Sequence, residues 1–276
     1  MNSFTNSFAP TVGVIIPVFN SGRDAIKAIL SVAAQIKFSA QEIVVVDDGS
    51  EDDSADFLRE ACQDLNIPVR ILSITNSGAA NARNHGMQNC RCDLYAFLDS
   101  DDTWLTDKLA RQVPLFSDPS VALVGCATTM DSGVALRVNA SDNFRTISLR
   151  QQLFKNYFQT STVIVRRSVV EAVGLFPLNQ RYAEEGDFFN RVAAYSNCML
   201  LPEVLVDYGG GKQGFGASGL SANLVAMEKG ELRNILRAYR RKDCSFGLFV
   251  LAILYSLIKF LRRIFISMVR RFRNFV

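Results

Sequence analysis

The feature that most constrains this chain is the repeated switch, within its first 105 residues, between short apolar runs and segments with helical periodicity. Val12–Val18 is β-branched and apolar. Ser21, with Asp24 three residues on, resembles a helix start, and Ile26, Ile29, Leu30, Ala33 and Ile36 then recur at helical spacing. Ile43–Val46, Val69–Ile74 and Leu94–Leu98 read as buried strands. Between them, Ala55, Leu58, Ala61, Cys62 and Leu65 mark one helix, and Ala79–Gln88 another after the turn Asn76-Ser77-Gly78. Alternation of this kind implies βαβ units: an α/β fold with a mostly parallel central sheet flanked by helices. Such sheets bind ligands beyond the carboxyl ends of their strands. Four strand ends here carry polar residues and should share one edge: Phe19-Asn20, Asp47-Asp48, Thr75-Asn76 and Asp99 to Asp102.

Three carboxylates, Asp99, Asp101 and Asp102, close the run Leu94–Asp102. Like charges this near repel one another, and a divalent cation removes that cost. Carboxylate oxygens suit Mn²⁺ or Mg²⁺, above all when a substrate phosphate completes the shell. Asp47 and Asp48, followed by Gly49, sit where a nucleotide base would meet them. Phe19 offers a flat face for that base, or else packs in the core. Arg83 either reaches a phosphate or lies solvated on the surface. After Trp104 the pattern weakens. Val121–Ala127, Thr162–Val165 and Val204–Tyr208 read as strands, and Glu184-Glu185-Gly186-Asp187 precedes an apolar helical face. Those acids either do chemistry or favour a helix N-terminus through its dipole. Gly209 to Gly219 holds six glycines in eleven residues and reads as a loop, a candidate cover for a bound donor, with Lys212 as a candidate phosphate contact.

The 276 residues accommodate one sizeable α/β domain with appendages. No cysteine spacing among the six resembles a zinc site, and they fit free thiols. With His85 the only histidine, Ser-His chemistries and imidazole-rich metal sites have little to work with. Met1 to Pro10 lacks the pattern of a signal peptide, so the expected compartment is the cytoplasm.

Four motifs in order resemble those of glycosyltransferase family 2: Pro17-Val18-Phe19-Asn20, Val46-Asp47-Asp48-Gly49-Ser50, Asn76-Ser77-Gly78 through Ala82-Arg83-Asn84-His85-Gly86, and Phe97-Leu98-Asp99-Ser100-Asp101-Asp102. The resemblance implies the GT-A nucleotide-diphospho-sugar transferase fold and an inverting transfer from a nucleotide-sugar donor, a UDP-sugar first, to a glycan or lipid-linked acceptor. It implies donor contacts at Pro17, Phe19, Asn20, Asp47, Asp48, Gly49, Arg83, Asp99 and Ser100, with Asp48 at the base and Asp99 at the ribose. The cation falls to Asp101, with Asp99 and Asp102 beside it. The family's later Glu-Asp motif, whose Asp is the general base, has Glu184-Glu185 in its place here. Glu185 is the expected base, with Asp187 and Glu184 as rivals.

The positive charge is concentrated at the end of the chain. Residues 232–276 hold eleven Lys/Arg and one acid, Asp243, whereas residues 1–231 hold 19 basic and 26 acidic residues. Phe246–Ile258 is almost wholly apolar; Lys259, Arg262, Arg263, Arg270 and Arg273 then fall within about a 100° helical sector. The apolar run is short for a membrane span, and an in-plane amphipathic helix on an anionic surface fits 246–276 better. A core or oligomer helix is one alternative and a tilted, re-entrant or single-span segment another; nucleic acid is a poor fit. The expected organisation is a transferase domain over 10–230 (nucleotide-binding half 10–105, acceptor half 106–230) and a tail over 231–276, peripheral on the cytoplasmic membrane face and serving surface-polysaccharide or lipopolysaccharide assembly. The competing functions are a nucleotidyltransferase, disfavoured because Pro17 to Arg23 lacks a basic glycine-rich phosphate loop, and a non-catalytic membrane-bound sensor of nucleotide sugars.

Overall fold

A computed structural model describes residues 9–131, 144–209 and 223–273, with side chains to Met268. The first half runs β1 (Val12–Val18), α1 (Gly22–Ala33), β2 (Glu42–Asp47), α2 (Ser54–Ala61), β3 (Val69–Ser73), α3 (Ala79–Asn89) and β4 (Leu94–Phe97). β1 pairs in parallel with β2 and β4, and β2 with β3. Strand residues alternate between faces, and β1 is buried on both. Val12, Val14, Ile16 and Val18 enter one core cluster with Ala25, Ala28 and Ile29 of α1, while Ile15 enters the other with Val44, Val46 and Phe97.

The second half comprises β5 (Thr103–Trp104), α4 (Lys108–Gln112), β6 (Val121–Thr128), β7 (Arg145–Ile147), α5 (Leu149–Phe154), β8 (Ile164–Arg166), α6 (Arg167–Val173), α7 (Glu184–Tyr195), β9 (Asn197–Asp207), α8 (Leu224–Arg240) and α9 (Phe246–Arg273). These strands extend the same sheet to the order β3-β2-β1-β4-β8-β6-β9-β5, with β7 also on β9. β8 runs antiparallel to β4 and β6, and β5 and β7 run antiparallel to β9, whereas β6 and β9 are parallel. The sheet is therefore mixed. Crossover helices join the parallel strands of the βαβ half; in the second half β6 and β9 form one further parallel pair, and β8 runs back between β4 and β6.

The boundary expected at 230/231 falls inside α8, which packs on α7. Gly230 meets the Ala183 turn so closely that a Cβ there would stand 2.3 Å from the Tyr182 carbonyl oxygen. α9 follows, held by a small cluster of Leu153, Ile235, Ala238 and Ala252. No helix among the described residues is long and apolar enough to cross a membrane.

Candidate active site

In a sheet of this order the chain reverses its direction of growth between β1 and β4, and a crevice opens beyond their carboxyl ends. The four polar strand ends gather there and bond to one another. Asn20 donates its N–H to Ser50 Oγ at 2.9 Å and accepts from the Glu51 N–H at 2.8 Å. Ser21 and Ser100 hydroxyls meet at 3.0 Å across the crevice. Phe19 is 46% exposed, with its ring available to a ligand rather than to the core.

Asp47 and Asp48 are both buried, and they differ in their partners. Asp47 Oδ1 accepts from the Ser50 N–H at 3.1 Å. Asp48 spends both oxygens on the next loop, accepting from the N–H groups of Ser77 (2.9 Å) and Gly78 (2.8 Å). Its carboxylate therefore fixes the Asn76-Ser77-Gly78 turn, and a direct contact from Asp48 to a base would add to bonds already made. Gly49 is required between them: its φ is +72°, and a Cβ there would lie 2.8 Å from the Asn76 nitrogen.

The three acids after β4 separate. Asp102 turns inward. It accepts from Ser161 Oγ and, at 2.6 Å, from the Gly209 N–H. Burial, reinforced by the Asp99 charge, pushes its carboxyl up to about 7. It does not join Asp99 and Asp101 on the exposed edge as the motif reading expects, because the Ser161 and Gly209 donors draw it into the body. Asp101 is exposed and Asp99 half-exposed. Both offer hard oxygen donors, a set that fits Mn²⁺ or Mg²⁺, with Asp99 keeping one oxygen for an ion once the other is bonded.

That other oxygen goes to Arg83. Neither solvated nor aimed outward, Arg83 is buried; it donates to Asp99 Oδ1 at 2.6 Å and stands 3.5 Å from Glu184 Oε1. Burial works against its charge, and Asp99 and Glu184 outweigh that cost. One guanidinium thus ties the acids of the first half to those of the second.

At the start of α7 the three acids likewise diverge. Asp187 is buried between Arg191 (3.1 Å) and Arg241 (2.9 Å) and is consumed by them. Glu184 faces Arg83. Glu185 is half-buried, and among the described residues no hydrogen bond or ion pair from another residue takes up its carboxylate. Burial, then the neighbouring Glu184 charge, pushes it up to about 7. The turn that delivers it is held from α8: Ala183 sits at φ +54°, and its carbonyl accepts from Asn234 Nδ2 at 2.7 Å and Gln180 Nε2 at 3.1 Å.

Several residues of this site escape sequence reasoning. Ser161 accepts from the Asp99 N–H at 3.1 Å and donates to Asp102, and its carbonyl accepts from Trp104 Nε1 at 2.9 Å. Tyr208, just past β9, lies among Asp102, Asp99, Asp101 and Glu185; burial and those charges push its phenol up to about 12, so it stays a hydrogen-bond donor. Trp104 follows the acids directly and was open to notice; nothing local marks Ser161 or Tyr208. Lys212 and the glycine-rich segment beyond Gly209 lie outside the described residues.

A mixed sheet of this order, with acids gathered at the β1–β4 crevice, is the GT-A architecture. Residues 13–176 match the family model described as glycosyl transferase family 2, and the chain belongs to that family. It is similar to an uncharacterised glycosyltransferase of Nostoc sp. (32% identical over 206 residues, 71% of this chain and 64% of the relative). It is also similar to the glycosyltransferase AglE of Haloferax volcanii (33% over 176 residues, 62% of this chain and 57% of the relative). The chain thus spans less than two thirds of either relative. Among solved structures, the mannosyltransferase PcManGT of Pyrobaculum calidifontis, in complex with GDP-Man and Mn²⁺, superposes with a TM-score of 0.70 at 21% identity, over 92% of this chain and 70% of that one. TarS of S. aureus, in complex with UDP-GlcNAc, gives 0.64 at 20% identity, over 90% and 71%.

Proposed function

We propose that the protein is an inverting, metal-dependent glycosyltransferase that moves a sugar from a nucleotide-diphosphate donor to a hydroxyl of a glycan or lipid-linked acceptor. The observation that carries this reading is Arg83, which brings Asp99 and Glu184 to the two sides of one buried guanidinium and so joins the donor edge to the turn that carries Glu185. Phe19, Asn20, Asp47 and the loop fixed by Asp48 receive the nucleotide; Ser100 and Asp99 line its diphosphate side. Mn²⁺ or Mg²⁺, held by Asp101 and Asp99, would supply charge stabilisation for the departing diphosphate. Glu185 takes the proton of the acceptor hydroxyl as that oxygen bonds to the anomeric carbon. The bond from that carbon to the diphosphate oxygen breaks on the opposite face, and the configuration inverts. A carboxyl near 7 is matched to this task at neutral pH.

Support for the substrate class comes from the relatives. TuaG of Bacillus subtilis, described as a putative teichuronic acid biosynthesis glycosyltransferase, is 33% identical over 117 residues, and the minor teichoic acid biosynthesis protein GgaA is 27% identical over 189. We accordingly place this chain in surface-polysaccharide or lipopolysaccharide assembly, with a UDP-sugar as the first donor to try. Purified protein with Mn²⁺ and a panel of UDP-, GDP- and dTDP-sugars is expected to release nucleoside diphosphate from one of them. Release of nucleoside monophosphate and sugar phosphate would instead indicate pyrophosphate cleavage, and tight binding without turnover would indicate a sensor.

We further propose that α9 docks the protein on the cytoplasmic face of a membrane, by a different face from the one the basic stripe suggests. Lys259 and Arg263 turn inward to Glu231, at 3.2 and 2.9 Å. Apart from Arg262, the exposed side chains of α9 among those described are apolar, Leu251, Leu254, Ile258, Leu261, Phe265 and Met268 among them. With Phe246, Tyr255, Leu257 and Ile266, also exposed, they cover about 200° of the helix at about 100° per residue. A seam for one partner helix is narrower than this, so the width favours lipid. Flotation with phospholipid vesicles is expected to carry the wild-type chain and leave the I258E/L261E variant in the aqueous fraction. A soluble dimer with no vesicle binding would defeat the proposal.

A further inference from the structure

At the sheet edge opposite the acids, Glu42, Cys90 and Cys92 bring one carboxylate oxygen and two sulfurs within 4.8 Å of one another. Linear spacing does not reveal this trio, since Cys90 follows α3, Cys92 precedes β4, and Glu42 opens β2. β1 lies between β2 and β4 and makes the room. Gly13 is in register with Glu42, and a Cβ at Gly13 would stand 2.1 Å from Cys90 Sγ. Both sulfurs are buried, 2% and 3% exposed, and neither is in a disulfide. Cys92 Sγ donates to Glu42 Oε1 at 3.8 Å. The other oxygen, Oε2, accepts from Arg70 Nη1 at 3.1 Å, and the same nitrogen donates to the Asn89 carbonyl at 2.9 Å. Glu42 therefore has a set orientation, one oxygen toward the arginine and one toward the sulfurs. A cavity of about 380 Å³ adjoins it, lined by Glu42, Arg70, Gln88, Asn89 and Arg91.

We propose that Glu42, Cys90 and Cys92 bind a thiophilic divalent cation of the zinc class, with water from the adjoining cavity as the fourth ligand. Two thiolates, one carboxylate and one water make a tetrahedral donor set of the kind zinc accepts. Arg70 acts as the outer partner that ligating carboxylates commonly have, orienting Glu42 and offsetting part of the negative charge. Binding would release the two thiol protons to solvent. The ion would cross-link the start of β2 to the α3–β4 connection, far from the acid edge, and so would act as a staple for the nucleotide-binding half.

The test uses the full chain, purified reduced, with Co²⁺ and Zn²⁺ as probes. Wild type is expected to bind one Co²⁺ per chain with sulfur-to-metal charge-transfer absorption, displaced by one equivalent of Zn²⁺. X-ray absorption at the zinc edge should count two sulfurs, a measurement that needs no variant to fold. C90S and C92S should each lose the band, and E42Q should weaken binding by about tenfold or more. D101A should keep the band, so the result is independent of the acid edge and of the transferase reading. Absence of a sulfur-bound ion in wild type, or a C90S/C92S double variant that binds as tightly as wild type, would overturn the proposal.

Discussion

Asp101→Ala is expected to abolish sugar transfer while leaving the fold intact. Asp101 is exposed at the strand edge, so its removal opens no buried cavity. Surface changes of that kind usually stay within about 0.5 kcal/mol of stability. The loss of a cation ligand is another matter. Asp99 has one oxygen bound to Arg83, and Asp102 is turned in to Ser161 and Gly209, so neither neighbour replaces the missing carboxylate. A fall of about a thousandfold in turnover, about 4 kcal/mol of barrier, is the expected scale for losing metal-borne charge stabilisation. Asp102→Ala provides the contrast. It strands the Ser161 hydroxyl and the Gly209 N–H, at about 1–3 kcal/mol for each buried group left unpaired, so activity and melting temperature should fall together. Measured side by side, turnover at saturating Mn²⁺ and thermal midpoint separate an ion-binding carboxylate from a structural one. If Asp101→Ala keeps its turnover, the metal assignment is wrong.

The nucleotide-binding half was legible in the sequence because β1 and β2 are buried β-branched runs, β4 is a buried apolar run that ends in acids, and α1 and α2 are long enough to show a repeat. The second half hides its elements in their brevity. β5 has two residues, β7 three and α4 five, too few for any period to register, whereas β8, also three residues long, is overlapped by the apolar run Thr162–Val165. β9 runs from Asn197 to Asp207, yet only its last part reads as a strand. Pro202 and Glu203 interrupt the pattern where the pairing with β6 skips from Leu201 to Val204, a bulge. The site divides the same way. Which residues are acidic, and that they cluster at strand ends, can be read directly. Which of them face solvent cannot, because that depends on donors brought from elsewhere: Ser161 and Gly209 to Asp102, Arg241 to Asp187, the Ser77-Gly78 turn to Asp48. The apolar character of the tail was likewise visible, but the side it turns outward depends on Glu231 of α8 capturing Lys259 and Arg263.

Glu185→Gln is expected to lower turnover by about 10²–10⁴-fold, the range over which a positioned general base contributes. The geometry singles out Glu185 because its rivals are engaged: Asp187 by Arg191 and Arg241, Glu184 by Arg83. The sign of the pH dependence follows from its environment. Burial and the Glu184 charge hold the Glu185 carboxyl up near 7, and only the ionised form accepts a proton. Wild-type kcat should therefore rise with pH up to about 7 and level above it, while the Gln variant should show no such limb. Asp102 titrates in the same range, so Asp102→Asn serves as the control that should retain the limb. Stability should move the opposite way. A carboxyl whose folded pKa lies above its ordinary value opposes folding once ionised, a cost absent below about 4.5 and complete above about 7. Glu185→Gln removes that cost, so the variant should melt higher than wild type at pH 8 and the same at pH 4. An inactive variant that is more stable at pH 8 is the signature of a base kept charged in a place the fold would rather leave neutral; one that is inactive and less stable would mean that Glu185 holds the start of α7 together, and the base would have to be sought elsewhere.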